Sequence, residues 1–202
     1  MADIKERSKS TFNQQADTYD EDIHGQHART LYPVLLSKLA HIPFQRALDL
    51  GCGTGEMMKM LLQSDDQREL YGIDLSEKML SVAEGKLSGK VQLVLGDSEH
   101  LPFVDNFFDV VYCNDSFHHY PAPENVIREV QRVLKPGGTF LIGDCWQPLI
   151  GRAIMNFYMR HSKEGDVKIY SETEIVSMLS EYFHNVSWEQ IGNTACIAMA
   201  QK

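Results

Sequence analysis

The chain has 202 residues, of which 43% are hydrophobic and 23% charged, a globular composition that excludes a mainly disordered chain. Acidic residues outnumber basic ones 28 to 19, a formal charge of −9, which argues against sequence-independent grip on a nucleic-acid backbone. No apolar run approaches the roughly 20 residues that span a bilayer, and the N-terminal MADIKERSKSTFN has no apolar signal-peptide core. A cytoplasmic chain is expected, with no membrane partner. Its four cysteines (Cys52, Cys113, Cys145, Cys196) form no CxxC pair and no zinc-spaced cluster with His, so reduced, mostly buried thiols and no metal site are expected.

In chain order, residues 1–45 read as helical, without a strand, and as a segment that packs over the sheet. Short apolar runs at Arg46–Leu50, Glu69–Asp74, Val91–Leu95, Phe108–Cys113 and Thr139–Asp144 have the length and the Val, Ile, Leu content of strands buried on both faces. Amphipathic stretches lie between them. Val126, Ile127, Val130, Val133 and Leu134 make one helical stripe, with Pro123 in its first turn and Lys135-Pro136-Gly137-Gly138 stopping it. A further helix is expected around Pro148–Arg160, then a charged loop. Ser171-Glu172-Thr173-Glu174 is a capping box ahead of a second stripe that runs to Phe183. Asn185–Gln190 and Thr194–Ala200 read as an antiparallel hairpin. The fold class is therefore α/β: a doubly wound, mostly parallel sheet with helices on both faces and a C-terminal antiparallel hairpin. One domain is expected, divided into a helical lid (1–45), a core (46–144), an acceptor-pocket segment (145–170) and a final helix and hairpin (171–202).

Four segments carry chemistry. In Ala47-Leu48-Asp49-Leu50-Gly51-Cys52-Gly53-Thr54-Gly55 a strand runs into three alternate glycines and a helix opens at Glu56. Glycine lets backbone approach a ligand, and the helix N-terminus offers free N–H groups. The spacing is GxGxG, not the dinucleotide fingerprint GxGxxG, and Glu56 would set a carboxylate against a pyrophosphate. Asp74, twenty-one residues after Gly53 at the end of the second strand, is placed to accept from ribose hydroxyls; the alternative is a helix cap, which Ser76 can supply itself. Asp97, after the third strand, can accept from an exocyclic amine or serve as a turn residue. The fourth strand ends in Cys113-Asn114-Asp115-Ser116-Phe117-His118-His119-Tyr120, off the carboxyl edge where open parallel sheets bind ligands.

In this order the four segments resemble class I S-adenosylmethionine-dependent methyltransferases, in particular the ubiquinone/menaquinone-biosynthesis and small-molecule subgroup with its seven-stranded Rossmann-like sheet. Phe12-Asn13-Gln14-Gln15-Ala16-Asp17-Thr18-Tyr19-Asp20 resembles the subgroup's FxxxAxxYD element, and Leu134-Lys135-Pro136-Gly137-Gly138 its LKPGG turn. The resemblance implies S-adenosylmethionine as cofactor. Asp49, Gly51 and Gly53 would cradle its methionine moiety, with Cys52 a small residue between the glycines and not a nucleophile. Asp74 would bind the ribose, Asp97 with Ser98 beside it the adenine amine, and Leu75 and Met79 the adenine ring. Asn114 would give a backbone contact and Tyr19 a cover. The partner would be a small-molecule methyl acceptor, with no nucleic acid, for a monomer or homodimer.

Methyl transfer from a sulfonium is an in-line displacement, so the protein chiefly aligns reactants. His118 and His119 are the candidates if the acceptor must lose a proton, Asp115 a third; the alternative is that they line the pocket. His24 and His27 read as surface residues. Trp146, Met155, Phe157, Tyr158 and Met159, with Arg152, Arg160, His161 and Lys163 nearby, are expected to wall the acceptor pocket, or else to be core. The competing functions are a nicotinamide-dependent oxidoreductase, a non-catalytic S-adenosylmethionine binder, and a nucleic-acid methylase, the last disfavoured by charge and by a loop after strand four that lacks the prolines of an Asn/Asp-Pro-Pro-aromatic signature.

Overall fold

The computed structural model describes residues 2–87, 89–159, 162 and 165–202. Seven strands form one sheet: β1 (Arg46–Leu50), β2 (Glu69–Asp74), β3 (Gln92–Leu95), β4 (Phe108–Asn114), β5 (Leu134–Cys145), β6 (His184–Ile191) and β7 (Ala195–Gln201). Their spatial order is β3-β2-β1-β4-β5-β7-β6. The first five run parallel, and β7 enters antiparallel between β5 and β6. This is the Rossmann-like arrangement expected. The chain leaves β1 toward β2 on one side and returns to β4 on the other, so the crevice between β1 and β4 is the switch point where such sheets bind ligands.

Helices are α1 (Ala2–Gln15), α2 (Gln26–Leu39), α3 (Glu56–Ser64), α4 (Glu77–Leu87), α5 (Pro123–Val133), α6 (Leu149–Met159) and α7 (Glu172–Ser180), with a 3₁₀ turn at Phe117–His119. The inner strands β1, β2, β4 and β5 are buried on both faces because they alternate large apolar residues toward two cores, whereas the edge strands β3, which the sequence placed among the buried ones, and β6 are partly exposed. Leu48, Leu50 and Val111 pack with α5 and α7. Ala47, Val110 and Tyr112 pack with α2, α3 and α4. The capping box forms as expected: the Ser171 hydroxyl accepts from the Glu174 backbone, and the Glu174 carboxylate accepts from the Ser171 backbone.

Strands β3, β4, β6 and β7 differ from the expected bounds by one residue at one or both ends, and β5 by more. β5 starts at Leu134, not Thr139, because Leu134 pairs with Phe108 directly after α5 and residues 135–138 then bulge out. Gly137, at φ +79, turns that bulge, and its N–H donates to the Lys202 carbonyl while Lys202 donates back to Gly138. No helix among the described residues is long and apolar enough to cross a membrane.

Candidate functional site

The glycine loop after β1 is built by positive φ at Gly51 (+66), Gly53 (+52) and Gly55 (+76). A Cβ at Gly51 would lie 2.9 Å from the Ser116 Cβ and one at Gly55 2.8 Å from a Leu87 methyl, whereas one at Gly53 would meet nothing. Two glycines thus let the loop pack against its neighbours and the middle one leaves open space at the cleft. The Asp74 carboxylate closes the loop from β2: it accepts from the Gly53 N–H at 2.8 Å and the Ser76 N–H at 2.8 Å. Ser76 itself caps α4, its hydroxyl accepting from the Met79 N–H at 3.1 Å, so Asp74 is not needed for that task.

Asp49 points to the α2–α4 face of β1 and is buried. Desolvation, with Asp74 nearby, pushes its carboxyl up to about 8, against the lowering effect of the adjacent Tyr112 hydroxyl. The folded protein therefore keeps a proton that the unfolded chain releases near pH 4, and folding stability from this group falls as pH rises from about 4 to about 8. Asp49→Asn removes that loss. Its stability advantage over the unsubstituted protein grows with pH across this window, by up to about 1.4 kcal/mol per unit. Urea unfolding of both proteins at pH 5 and pH 8 checks the sign.

Beside Asp74, Asp97 accepts from Lys5 Nζ at 2.6 Å and Lys5 also reaches Glu99 at 2.7 Å, so α1 covers this carboxylate. Burial and the carboxylates around it push the thiol of Cys52 well above the ordinary range, so it is no thiolate. All of Tyr19, Asp49, Gly51, Cys52, Gly53, Asp74, Leu75, Met79, Asp97, Ser98 and Asn114 line one cleft at the β1–β4 switch point, together with Phe12, Asp115, His119 and Tyr120.

A cleft of this build, on this strand order, has parallels among known proteins. A methyltransferase-domain family matches residues 48–142. Demethylmenaquinone methyltransferase of Geobacillus kaustophilus is 39% identical over 123 residues, covering 57% of this chain and 53% of that protein. The 27-O-demethylrifamycin SV methyltransferase of Amycolatopsis mediterranei is 38% identical over 104 residues, covering 49% and 38%. The crystal structure of an S-adenosylmethionine-dependent methyltransferase from Thermotoga maritima superposes with a TM-score of 0.76 over 96% of this chain and 99% of that one, at 18% identity. Residues 48–142 are thus similar to a methyltransferase domain, and the fold of the chain is that of the methyltransferase structure it superposes on. The chain spans about half the length of the curated relatives it matches.

The cleft is clamped by the N-terminal segment, whose motif residues have separate tasks. Phe12 packs edge-on against Tyr19 (6.1 Å) and His119 (5.2 Å). The Asn13 side-chain Oδ1 accepts from the Ser76 hydroxyl at 2.7 Å. Ala16 is buried. The Asp20 carboxylate accepts from the Thr54 hydroxyl of the glycine loop at 2.6 Å and pairs with Lys86, which also reaches Glu56 at 3.2 Å. Glu56 is thus held in a four-member ion network of Asp20, Lys86, Glu56 and Lys59. Gly25 fixes the return of the segment: a Cβ there would stand 2.1 Å from the Tyr19 carbonyl oxygen, to which Arg29 also donates at 2.7 Å. Gly25→Ala should displace Tyr19 at a cost of about 1–3 kcal/mol, seen as faster proteolysis between α1 and α2 with an unchanged circular-dichroism spectrum.

The two candidate histidines part company. His119 lines the cleft; His118 does not. His118 turns behind the 3₁₀ turn, where Asp144 accepts from its ring Nδ1 at 2.5 Å and its backbone N–H at 2.8 Å. Although desolvation works against it, the Asp144 charge raises the His118 imidazole well above its usual range, while desolvation and the His118 charge lower His119 to about 4. His27 is not a surface residue. It is half-buried, its Nδ1 2.7 Å from Asp115 and its Nε2 3.1 Å from the Thr194 carbonyl, a pairing across 88 residues that no local pattern announces. The pairing with Asp115 raises its imidazole above the usual range.

Within the 145–170 segment expected to enclose the acceptor, the residues of α6 do not border the cleft. α6 buries no residue, and its Ile150 and Phe157 are 76% and 62% exposed. Trp146 packs on the core and against Trp188 (5.8 Å). None of Trp146, Arg152, Met155, Phe157, Tyr158 and Met159 borders the cleft. Arg160, His161 and Lys163 lie outside the described residues.

Proposed function

We propose that the protein is an S-adenosylmethionine-dependent methyltransferase acting on a small-molecule acceptor. The observation that carries this is the convergence, at one switch-point cleft, of the open face of Gly53, the buried Asp49, and the Asp74 carboxylate at the end of β2. S-Adenosylmethionine is the cofactor. Asp49 and the Gly51-Cys52-Gly53 backbone hold its methionine end, with Asn114 contributing a backbone contact. Asp74 takes the ribose hydroxyls, Asp97 and Ser98 the adenine amine, and Leu75 and Met79 flank the ring. Tyr19 and α1 cover the site.

The charges suit this cofactor. Glu56, Asp74, Asp97, Glu99 and Asp115 line the cleft against Lys5 and Lys9, so it attracts a molecule carrying a sulfonium and an ammonium. Transfer removes the sulfonium charge and with it part of the attraction, which assists release of the product. The acceptor enters beside Phe12, Asp115 and His119, where the aromatic walls exclude water and hold the nucleophile in line with the methyl carbon and sulfur. Two of the relatives are named for demethylmenaquinone and a demethylrifamycin, which favours a small organic acceptor over a macromolecule. Radiolabelled methyl transfer from S-adenosylmethionine into a small-molecule metabolite extract tests the reading. Label in a low-mass product supports it; cofactor binding without transfer to any fraction would instead make the chain a binder.

A further inference from the structure

We propose that His118, His119 and Asp166 form a binding site for one divalent transition-metal ion behind the cleft wall that His119 lines. The ligand atoms already converge. Asp166 Oδ1 lies 3.4 Å from His119 Nδ1 and 3.8 Å from His118 Nε2, and all three fall within 4.8 Å of one another. Ligands at zinc–nitrogen and zinc–oxygen bond lengths in a tetrahedron sit about 3.3 Å apart, so one edge is at that spacing and the second needs a contraction of roughly half an ångström.

Each ligand is supported from behind in the manner of metal sites. His118 gives its other ring nitrogen to Asp144 at 2.5 Å, a carboxylate–histidine arrangement that fixes the ring and aims Nε2 at Asp166. Asp144 is itself saturated by the His118 and Cys145 backbone N–H groups, so it is a support and not a ligand. Asp166 uses Oδ2 to accept from the Ser162 hydroxyl at 2.7 Å, which leaves Oδ1 for the ion. His119 Nδ1 is shielded from solvent and has no hydrogen-bond partner among the described residues. A buried imidazole nitrogen facing a carboxylate without a proper hydrogen bond is expensive, and a cation between them satisfies both. Two imidazoles and one carboxylate suit Zn²⁺, Fe²⁺ or Co²⁺ rather than Mg²⁺ or Ca²⁺, and they leave coordination positions open.

Of the three ligands only His119 lines the cleft, so the ion sits behind the cleft wall and fixes the His119 ring there, a role that rests on the methyltransferase reading.

The test is calorimetric titration of chelator-stripped protein with Zn²⁺, repeated with Co²⁺ read by its visible absorption, alongside titration of the same metal-free protein with S-adenosylhomocysteine. One ion per chain is expected, with a Co²⁺ spectrum of nitrogen and oxygen ligation. His119→Ala and Asp166→Ala should each weaken it by more than the ~10–100-fold expected for Asp144→Asn. Sub-stoichiometric binding, or binding that survives both His119→Ala and Asp166→Ala, overturns the site. S-Adenosylhomocysteine binding by protein that takes no metal overturns the metal site alone; failure of both ligands overturns the methyltransferase reading with it.

Discussion

Asp74→Ala should lower the affinity for S-adenosylhomocysteine by at least ~100-fold. Hydrogen bonds to a charged partner contribute roughly 1.5–3 kcal/mol each, and this carboxylate would serve two ribose hydroxyls. It also holds the glycine loop through Gly53 N–H, so its removal loosens the very backbone that faces the cofactor. The unliganded fold should suffer little. Burial raises the Asp74 carboxyl above its ordinary range despite its hydrogen bonds to Ser76 and Gly53, so burying this group costs the fold stability. Calorimetry on the variant, with a thermal melt as control, separates these effects. An affinity within threefold of the unsubstituted protein would remove Asp74 from the ribose role.

Phe117→Ala should cost about 3–5 kcal/mol of folding stability, a large share of the roughly 5–15 kcal/mol that holds a domain together. Phe117 is fully buried, edge-on to Tyr120 (5.8 Å) and Tyr170 (5.5 Å), and it begins the 3₁₀ turn that presents His118 and His119. One side chain therefore anchors both a core and the acceptor side of the cleft. The change should appear as a lower urea midpoint at unchanged slope. A loss under about 1 kcal/mol would show that the turn is held by its hydrogen bonds to Asp144 and not by this ring.

What the sequence revealed and what it hid divide by distance along the chain. The strand–glycine–helix run from Ala47 to Glu56 is local, and each feature of it acts through near neighbours, so the loop and its left-handed glycines were legible. Asp74 and Asp97 were legible because each ends a strand, and the ends of parallel strands share one edge. The position of α6 was not. Periodicity shows that Ile150, Ile154, Phe157 and their neighbours share faces of a helix, but not whether anything covers those faces. His27 with Asp115, Lys5 with Asp97, and Asp166 with the histidine pair are contacts between segments far apart in sequence, set only once the sheet order is fixed. Asp20 lay within a recognised motif, yet its clamp on Thr54 and Lys86 depends on where α1 returns over the cleft.

The central claim is that the β1–β4 cleft binds a sulfur-bearing nucleoside through the glycine loop and Asp74. Calorimetric titration of the purified protein with S-adenosylhomocysteine, and in parallel with NAD, tests it most directly. Saturable binding of S-adenosylhomocysteine at one per chain, with no heat from NAD, is the predicted outcome. No binding of S-adenosylhomocysteine at millimolar supply, or binding of NAD in its place, would contradict it.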